Sequence, residues 1–256
     1  MPNRSSPSIS RSLDAWVSSS FPCDPLRDYL SFWFDELGFS YQLKFAPFNQ
    51  VVQQLIDPQG PLARNSGFNV LTVSLQDWAG LNPPADGGQT LRHHADEFAT
   101  LLKISAKTAP AEFIVAFCPA NVSITDQQID ETIRRETEHQ IAHVLEGLGN
   151  VHCIFSDQLA EPDSADGTPY DAPFFVRLAT RITRKIREIS GPPYKVLILD
   201  CDGTLWDGVC AEDADVSLGP GRIALQEFAS QQRRKGRLLC LCRQNRAGEG
   251  GGGVAL

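Results

Sequence analysis

Two carboxylates one residue apart stand at the end of an apolar run in KVLILDCDGTLW, residues 195–206. Val196 to Leu199 reads as a buried strand of a parallel sheet. Such a strand delivers Asp200 and Asp202 to the carboxyl edge, where α/β folds bind their ligands. Acids this close repel each other unless a cation or a shared proton offsets the charge. Mg²⁺ suits a site of hard oxygen donors that phosphate and water complete. A carboxylate in this position can also attack phosphorus to form an aspartyl phosphate, while the second acid handles the proton of the leaving group. Gly203 lets the chain turn sharply beneath a ligand, and Thr204 offers a hydroxyl there. The plain alternative is a pair of acids capping a turn. The apolar run before them, the Gly-Thr after them and the strand–helix–strand unit that follows favour a phosphate and metal site.

Other residues carry weaker chemistry. Cys242 ends the strand RLLCLC beside the acids, and its plain reading is a small buried residue on the same face as Cys240. Cys201, between the two acids, is expected to point into the core. His139 and His143 have the spacing of a zinc helix. Gln140 stands where the general base of that motif would be, and no third ligand is evident, so a solvated helix face is the better reading. His93 and His94 are adjacent and read as surface. Arg177, Arg181, Arg184 and Lys185 form a basic helix face, either merely solvated or a docking patch for an acidic partner. The cations of QQRRKGR, residues 231–237, complement a helix C-terminus and need no further role.

The elements that must position these groups follow an α/β pattern. The chain has 256 residues, 42% of them hydrophobic and 21% charged, the balance of a soluble globular protein with a proper core. No run approaches the length of a membrane span, and a net charge of -8 argues against a general nucleic-acid binder. The polar start, MPNRSSPSISRS, reads as a disordered leader over 1–12 rather than a secretory signal. Seven scattered cysteines, an odd number mostly in apolar surroundings, fit a reducing cytoplasm. Between 13 and 190, the runs AWVSS, YQLKFA, FNVLTVSL, EFIVAFCPA and VHCIFS read as strands, with helical segments between and after them. On the first helix Leu26, Tyr29 or Leu30, Phe32 or Trp33, and Leu37 are expected to face inward. Thr125 and Gln128 have capping-box spacing ahead of Ile129, Ile133, Ile141, Val144 and Leu148. Phe174, Leu178, Ile182, Ile186 and Ile189 mark the last helix of this half. This alternation predicts a doubly wound parallel sheet. The Pro/Gly break SGPPYK closes the domain, a second strand–loop–helix–strand series runs over 194–245, and 246–256 reads as a Gly-rich tail.

The stretch DCDGTLWDGVCAED resembles the first motif of the haloacid dehalogenase (HAD) superfamily, and more narrowly its FkbH-like (HAD-IIIC) branch. The segments FAPFNQVVQQLIDP and LARNSGFNVLTVSLQDW and the PPYKV junction are similar to the SGNH-like α/β domain that precedes the HAD unit in that branch. The resemblance covers about residues 13–245. It implies a Rossmann-like HAD domain after the first sheet, in a protein of polyketide or nonribosomal peptide biosynthesis. Such a protein loads a glyceryl unit from 1,3-bisphosphoglycerate onto an acyl carrier protein and removes its phosphate. By the resemblance Asp200 is the nucleophile and Asp202 the acid/base, both hold Mg²⁺, and Gly203 and Thr204 bind phosphate. Cys242 becomes the thiol that carries an acyl group.

The serines after the first strand, Ser18 to Ser20, occupy the position of an SGNH-type nucleophile. That chemistry needs a late histidine, and DGTPYD at 166–171 has none, so a binding or docking module is expected instead. The HAD motifs depart from the branch as well. In the run CRQN, Arg243 stands where the family has serine, and Ala211 and Ala214 replace glycines. The 256 − 245 = 11 residues after Asn245 contain neither Lys nor Asp for the later motifs. The HAD domain is therefore expected to be incomplete and the chain inactive by itself. The competing readings are a non-catalytic carrier-protein-docking remnant and a HAD phosphatase of a small phosphorylated metabolite.

Overall fold

The computed structural model describes residues 12–78, 88–119, 130–159, 170–191, 194–208 and 217–242. They fall into two units, Met1–Ser190 and Gly191–Leu256. In the first, β-branched and apolar runs form strands β1 (Leu13–Ser19), β2 (Tyr41–Phe45), β3 (Phe68–Ser74), β4 (Glu112–Cys118) and β5 (Val151–Ile154). The helices are α1 (Leu26–Glu36), α2 (Val51–Ile56), α3 (Pro61–Arg64), α4 (Gln89–Thr108), α5 (Glu131–Val144) and α6 (Ala172–Ser190). All strand pairs are parallel, in the order β2-β1-β3-β4-β5. Every residue of β3 is buried, as a central strand covered on both faces requires.

Each face of the sheet carries its own core. On one, Val17, Val70 and Ile114 lie under Leu26, Leu30 and Phe34 of α1 and Phe174, Leu178 and Ile182 of α6. On the other, Leu71, Val73, Phe113 and Phe117 lie under α2, α4 and α5, with Phe98 and Leu102 at the centre. The connections change sides between β1 and β3, which makes the carboxyl edge there the topological switch point of the fold. The doubly wound parallel sheet expected from the alternation is the one observed.

One local expectation is corrected. The buried row of α1 is Leu26, Leu30 and Phe34, one ridge at i, i+4 spacing, whereas Phe32 is 55% exposed. Trp33 lies beside that ridge and its indole N–H reaches Thr180 of α6 at 3.1 Å. Thr125, Gln128 and Ile129 lie outside the described residues. The described start of α5 is capped by Asp130, whose Oδ1 accepts the Thr132 N–H at 2.8 Å. Among the described residues, no helix is long and apolar enough to cross a membrane.

Gly67, just before β3, lies against Asp14 of β1 with no room for a side chain. A Cβ there would lie 2.1 Å from the backbone oxygen of Asp14. Gly67→Ala must therefore push backbone against backbone, and is expected to destabilise the first unit by about 1–3 kcal/mol. A thermal melt checks this: a drop of several degrees is expected, and an unchanged midpoint would remove the argument.

The second unit pairs β6 (Val196–Asp200) with β7 (Leu238–Cys242) in parallel, joined by α7 (Pro220–Arg234). The run Val196–Leu199 is not the buried strand its composition implied. Val196 and Ile198 are exposed, the latter 65%, as are Leu238 and Leu241 of β7. With two strands and one helix described, one face of the ribbon has no covering layer.

Candidate functional site

Register sets the first geometry of the acidic loop. Asp200 is the β-ladder partner of Cys242, and the Cys201 N–H donates to the Cys242 carbonyl at 3.1 Å. The chain then turns on itself: Thr204 and Leu205 both donate backbone N–H groups to the Cys201 carbonyl, at 3.3 and 2.9 Å. Gly203 has φ +70°, in the left-handed region that favours glycine, and its N–H reaches the Gly208 carbonyl at 3.3 Å. Asp200 Oδ1 accepts from the Cys201 N–H at 3.0 Å, and Asp202 Oδ1 accepts from the Trp206 indole at 3.0 Å. Trp206 thus orients the second acid. Cys201 is buried, as expected from its place between the acids.

Cys240 and Cys242, by contrast, are exposed rather than buried. The Cys242 thiol therefore stands in solvent on the strand next to Asp200.

Sequence reasoning missed Arg222. This residue sits in the first turn of α7, where a cation opposes the helix dipole and something anionic should face it. Its Nε donates to Asp207 Oδ1 at 2.6 Å, and its Nη1 to the carbonyls of Thr204, at 2.9 Å, and Gly203. The guanidinium hydrogen bond holds the Asp207 carboxyl below its usual range. Gln226, one turn on, donates to the Leu205 carbonyl at 2.7 Å. The misplaced charge of Arg222 was the only sequence signal for this clamp.

No group of three or more His, Cys, Asp or Glu side chains able to hold a metal occurs among the described residues. The donor set this loop offers is the Asp200 and Asp202 carboxylates. Two hard oxygen ligands, with water and phosphate oxygens completing the octahedron, fit Mg²⁺ and not a soft or tightly caged ion.

The serine at the end of β1 has a different environment. Ser18 and Ser19 are buried in the sheet, and Ser20 donates its hydroxyl to Asp77 Oδ2 at 2.7 Å while accepting the Ser74 N–H at 3.0 Å. Of the segment 166–171 only Tyr170 and Asp171 are described. Tyr170 donates to the Pro119 carbonyl and Asp171 caps α6 through the Phe174 N–H, so both are structural. His139 stacks on Phe155 and His143 pairs with Glu146, in keeping with a helix surface rather than a zinc pair. On α6, Arg181 donates to the Gln158 carbonyl and Lys185 pairs with Glu188. His93 and His94, read from sequence as mere surface, line a cleft together with Ser20 and Asp77.

No protein-family model and no curated protein sequence matches the chain. Among solved structures, it is similar to the N-terminal part of a Bacteroides fragilis protein that contains a phosphatase domain and was crystallised in complex with Mg. The two share 16% identity and a TM-score of 0.72 over 93% of this chain and 70% of the other. Weaker likenesses are to a putative acylhydrolase from Bacteroides fragilis (10% identity, TM-score 0.47, 70% of this chain and 88% of that one). A catalytic mutant of an acetylxylan esterase from Geobacillus stearothermophilus is comparable (12% identity, TM-score 0.46, 68% and 94%). At these identities the likeness is one of fold: the chain has the α/β fold of the N-terminal part of a phosphatase-domain protein.

Proposed function

We propose that the Asp200–Asp202 loop is the phosphate- and Mg²⁺-binding end of a HAD-type phosphoryl-transfer site. The chain is, on this reading, an FkbH-like protein that handles a phosphorylated glyceryl unit bound for an acyl carrier protein. The observation that carries the proposal is the turn itself. It brings two acids to the carboxyl end of a parallel strand, held from behind by Arg222 and Trp206. A bound Mg²⁺ would offset the charge of the acids and of the substrate phosphate.

The chain's own residues then have defined tasks. An Asp200 oxygen bonds to phosphorus as the bond to the leaving oxygen breaks, and Asp202 gives that oxygen its proton. Asp202 next takes a proton from the water that displaces Asp200 and releases inorganic phosphate. Gly203 and Thr204 form the floor of the site. The exposed Cys242 thiol, in register with Asp200, favours acyl loading over simple hydrolysis of a small phosphorylated metabolite. Its sulfur can attack an acyl phosphate at carbon, expel phosphate and form a thioester for transfer to a carrier thiol.

Calorimetric titration with Mg²⁺ tests the site. Two protein carboxylates leave most of the coordination shell to water, so a dissociation constant on the order of millimolar is expected, lost in Asp200→Asn and in Asp202→Asn. Micromolar binding that survives either change would refute it.

A further inference from the structure

The first unit holds a cleft that the phosphoryl chemistry does not use. It measures about 760 Å³, within the range of small-molecule sites, and is lined by residues from Ser20 to Leu101. Its position follows from topology. Ser20 follows β1 and Asp77 follows β3, so their 2.7 Å hydrogen bond closes the carboxyl edge at the switch point between those strands. Asn49, four residues beyond β2 and part of the lining, is held at φ 58°, a conformation costing a non-glycine residue on the order of 1 kcal/mol. Its N–H is tied to the Ser19 carbonyl at 2.7 Å.

The lining has one sign of charge. Asp77, Asp96 and Glu97 line it, with His93 and His94 and no Lys or Arg among the described lining residues. The histidines are engaged, His94 Nδ1 with the Trp78 carbonyl at 2.9 Å and His93 with Glu97 at 3.5 Å. The Ser20 hydroxyl has one proton and gives it to Asp77, so Asp77 Oδ2 acts as an acceptor. Val51, Val52, Ile56 and Leu101 supply aliphatic lining. Trp78, tilted against Phe98 with ring centroids 5.0 Å apart, supplies an aromatic surface. An anion entering here meets three carboxylates, and the described residues offer a divalent metal no cluster of ligands.

We infer that this cleft binds a small organic cation, a protonated primary amine on an aliphatic or aromatic body. The ammonium lies towards Asp77, Asp96 and Glu97, and the body lies along Val52, Ile56 and Trp78. The ammonium's three donors suit an acceptor-lined end, and the indole face adds attraction for a cation.

The test is calorimetric titration of the full chain with n-hexylamine, with phenethylamine and with hexanoate as the isosteric anion. Both amines are expected to bind at about millimolar strength or tighter, and hexanoate at least about tenfold more weakly. Asp77→Asn should weaken amine binding by about tenfold. Because that change also disturbs a packed hydrogen bond, Val52→Trp provides the second arm. Val52 is at the surface, and its enlargement fills the cleft without opening the core. Loss of amine binding in folded Val52→Trp supports the inference. Three outcomes overturn it: hexanoate binding as well as the amines, amine binding untouched by Val52→Trp, or no amine binding at all.

Discussion

Glu138→Ala is expected to destabilise the first unit by about 3–5 kcal/mol, because it leaves a buried guanidinium with only the exposed Glu131 carboxylate, 3.9 Å away, as counter-charge. Glu138 and Arg134 are only 2% and 7% exposed. Arg134 Nη1 donates to Glu138 Oε1 at 3.0 Å. Ser156 binds the same carboxylate twice, through its hydroxyl at 2.6 Å and its backbone N–H at 3.1 Å. The cluster fastens α5 to the chain just beyond β5. Replacing both charges, Arg134→Met with Glu138→Leu, should recover most of the loss, since an apolar pair of similar volume carries no desolvation penalty. Urea unfolding followed by circular dichroism measures all three variants. A single-variant loss under about 1 kcal/mol would show the pair to be solvated in practice.

The same carboxylate gives a pH signature. Burial raises the Glu138 pKa, with Ser156 and Arg134 pulling it partly back. The folded state therefore binds this proton more readily than the unfolded chain. The contribution of this group is most favourable below the ordinary glutamate value, and is lost as pH rises through the raised one.

The second large effect concerns turnover. The chain alone is expected to release no phosphate above background from p-nitrophenyl phosphate or 1,3-bisphosphoglycerate, with Mg²⁺ and with or without an acyl carrier protein. Phosphoryl transfer depends on donors and cations placed around the equatorial oxygens. The described cation nearest the loop in hydrogen bonding, Arg222, is committed to the Gly203 and Thr204 carbonyls and to Asp207. Arg243 stands in the position where the resembled motif has a serine. Losing one preorganised donor lowers a rate by roughly a hundred- to a thousandfold, and here the serine hydroxyl of that motif is replaced. Phosphate release that vanishes in Asp200→Asn would overturn this expectation and make the chain a working enzyme.

Period and composition made much of the first unit legible. β3 and β4 are mostly apolar or β-branched and are buried almost throughout, and the α6 stripe from Phe174 to Ile186 faces the core. Single-residue facing on α1 was less legible, because Phe32, Trp33 and Phe34 are consecutive and hydropathy cannot rank them. Only packing in the core selects Phe34, whose ring meets those of Phe39 and Tyr41. The acidic loop announced itself through adjacent residues. The groups that orient it did not, since Arg222 lies 18 residues from Thr204 in the chain. Ser20 and Asp77 are 57 residues apart, and nothing local to either encodes their meeting. The exposure of Cys240 and Cys242 was hidden for another reason: an apolar strand reads the same whether or not a layer covers it.

The two-stranded ribbon of the second unit has consequences for handling the protein at concentration. Among the described residues β6 and β7 each have only one strand neighbour, so each presents an outer row of backbone donors and acceptors beside exposed Ile198 and Leu238. Such an edge is a template for another chain's strand. Lys195 and Arg237, immediately before β6 and β7, place like charges at the same end of the ribbon and act as electrostatic gatekeepers. Their repulsion reaches only about 10 Å at 0.1 M salt and shrinks further as salt rises. Colloidal stability should therefore fall with ionic strength, opposite to what a purely charge-driven association would show.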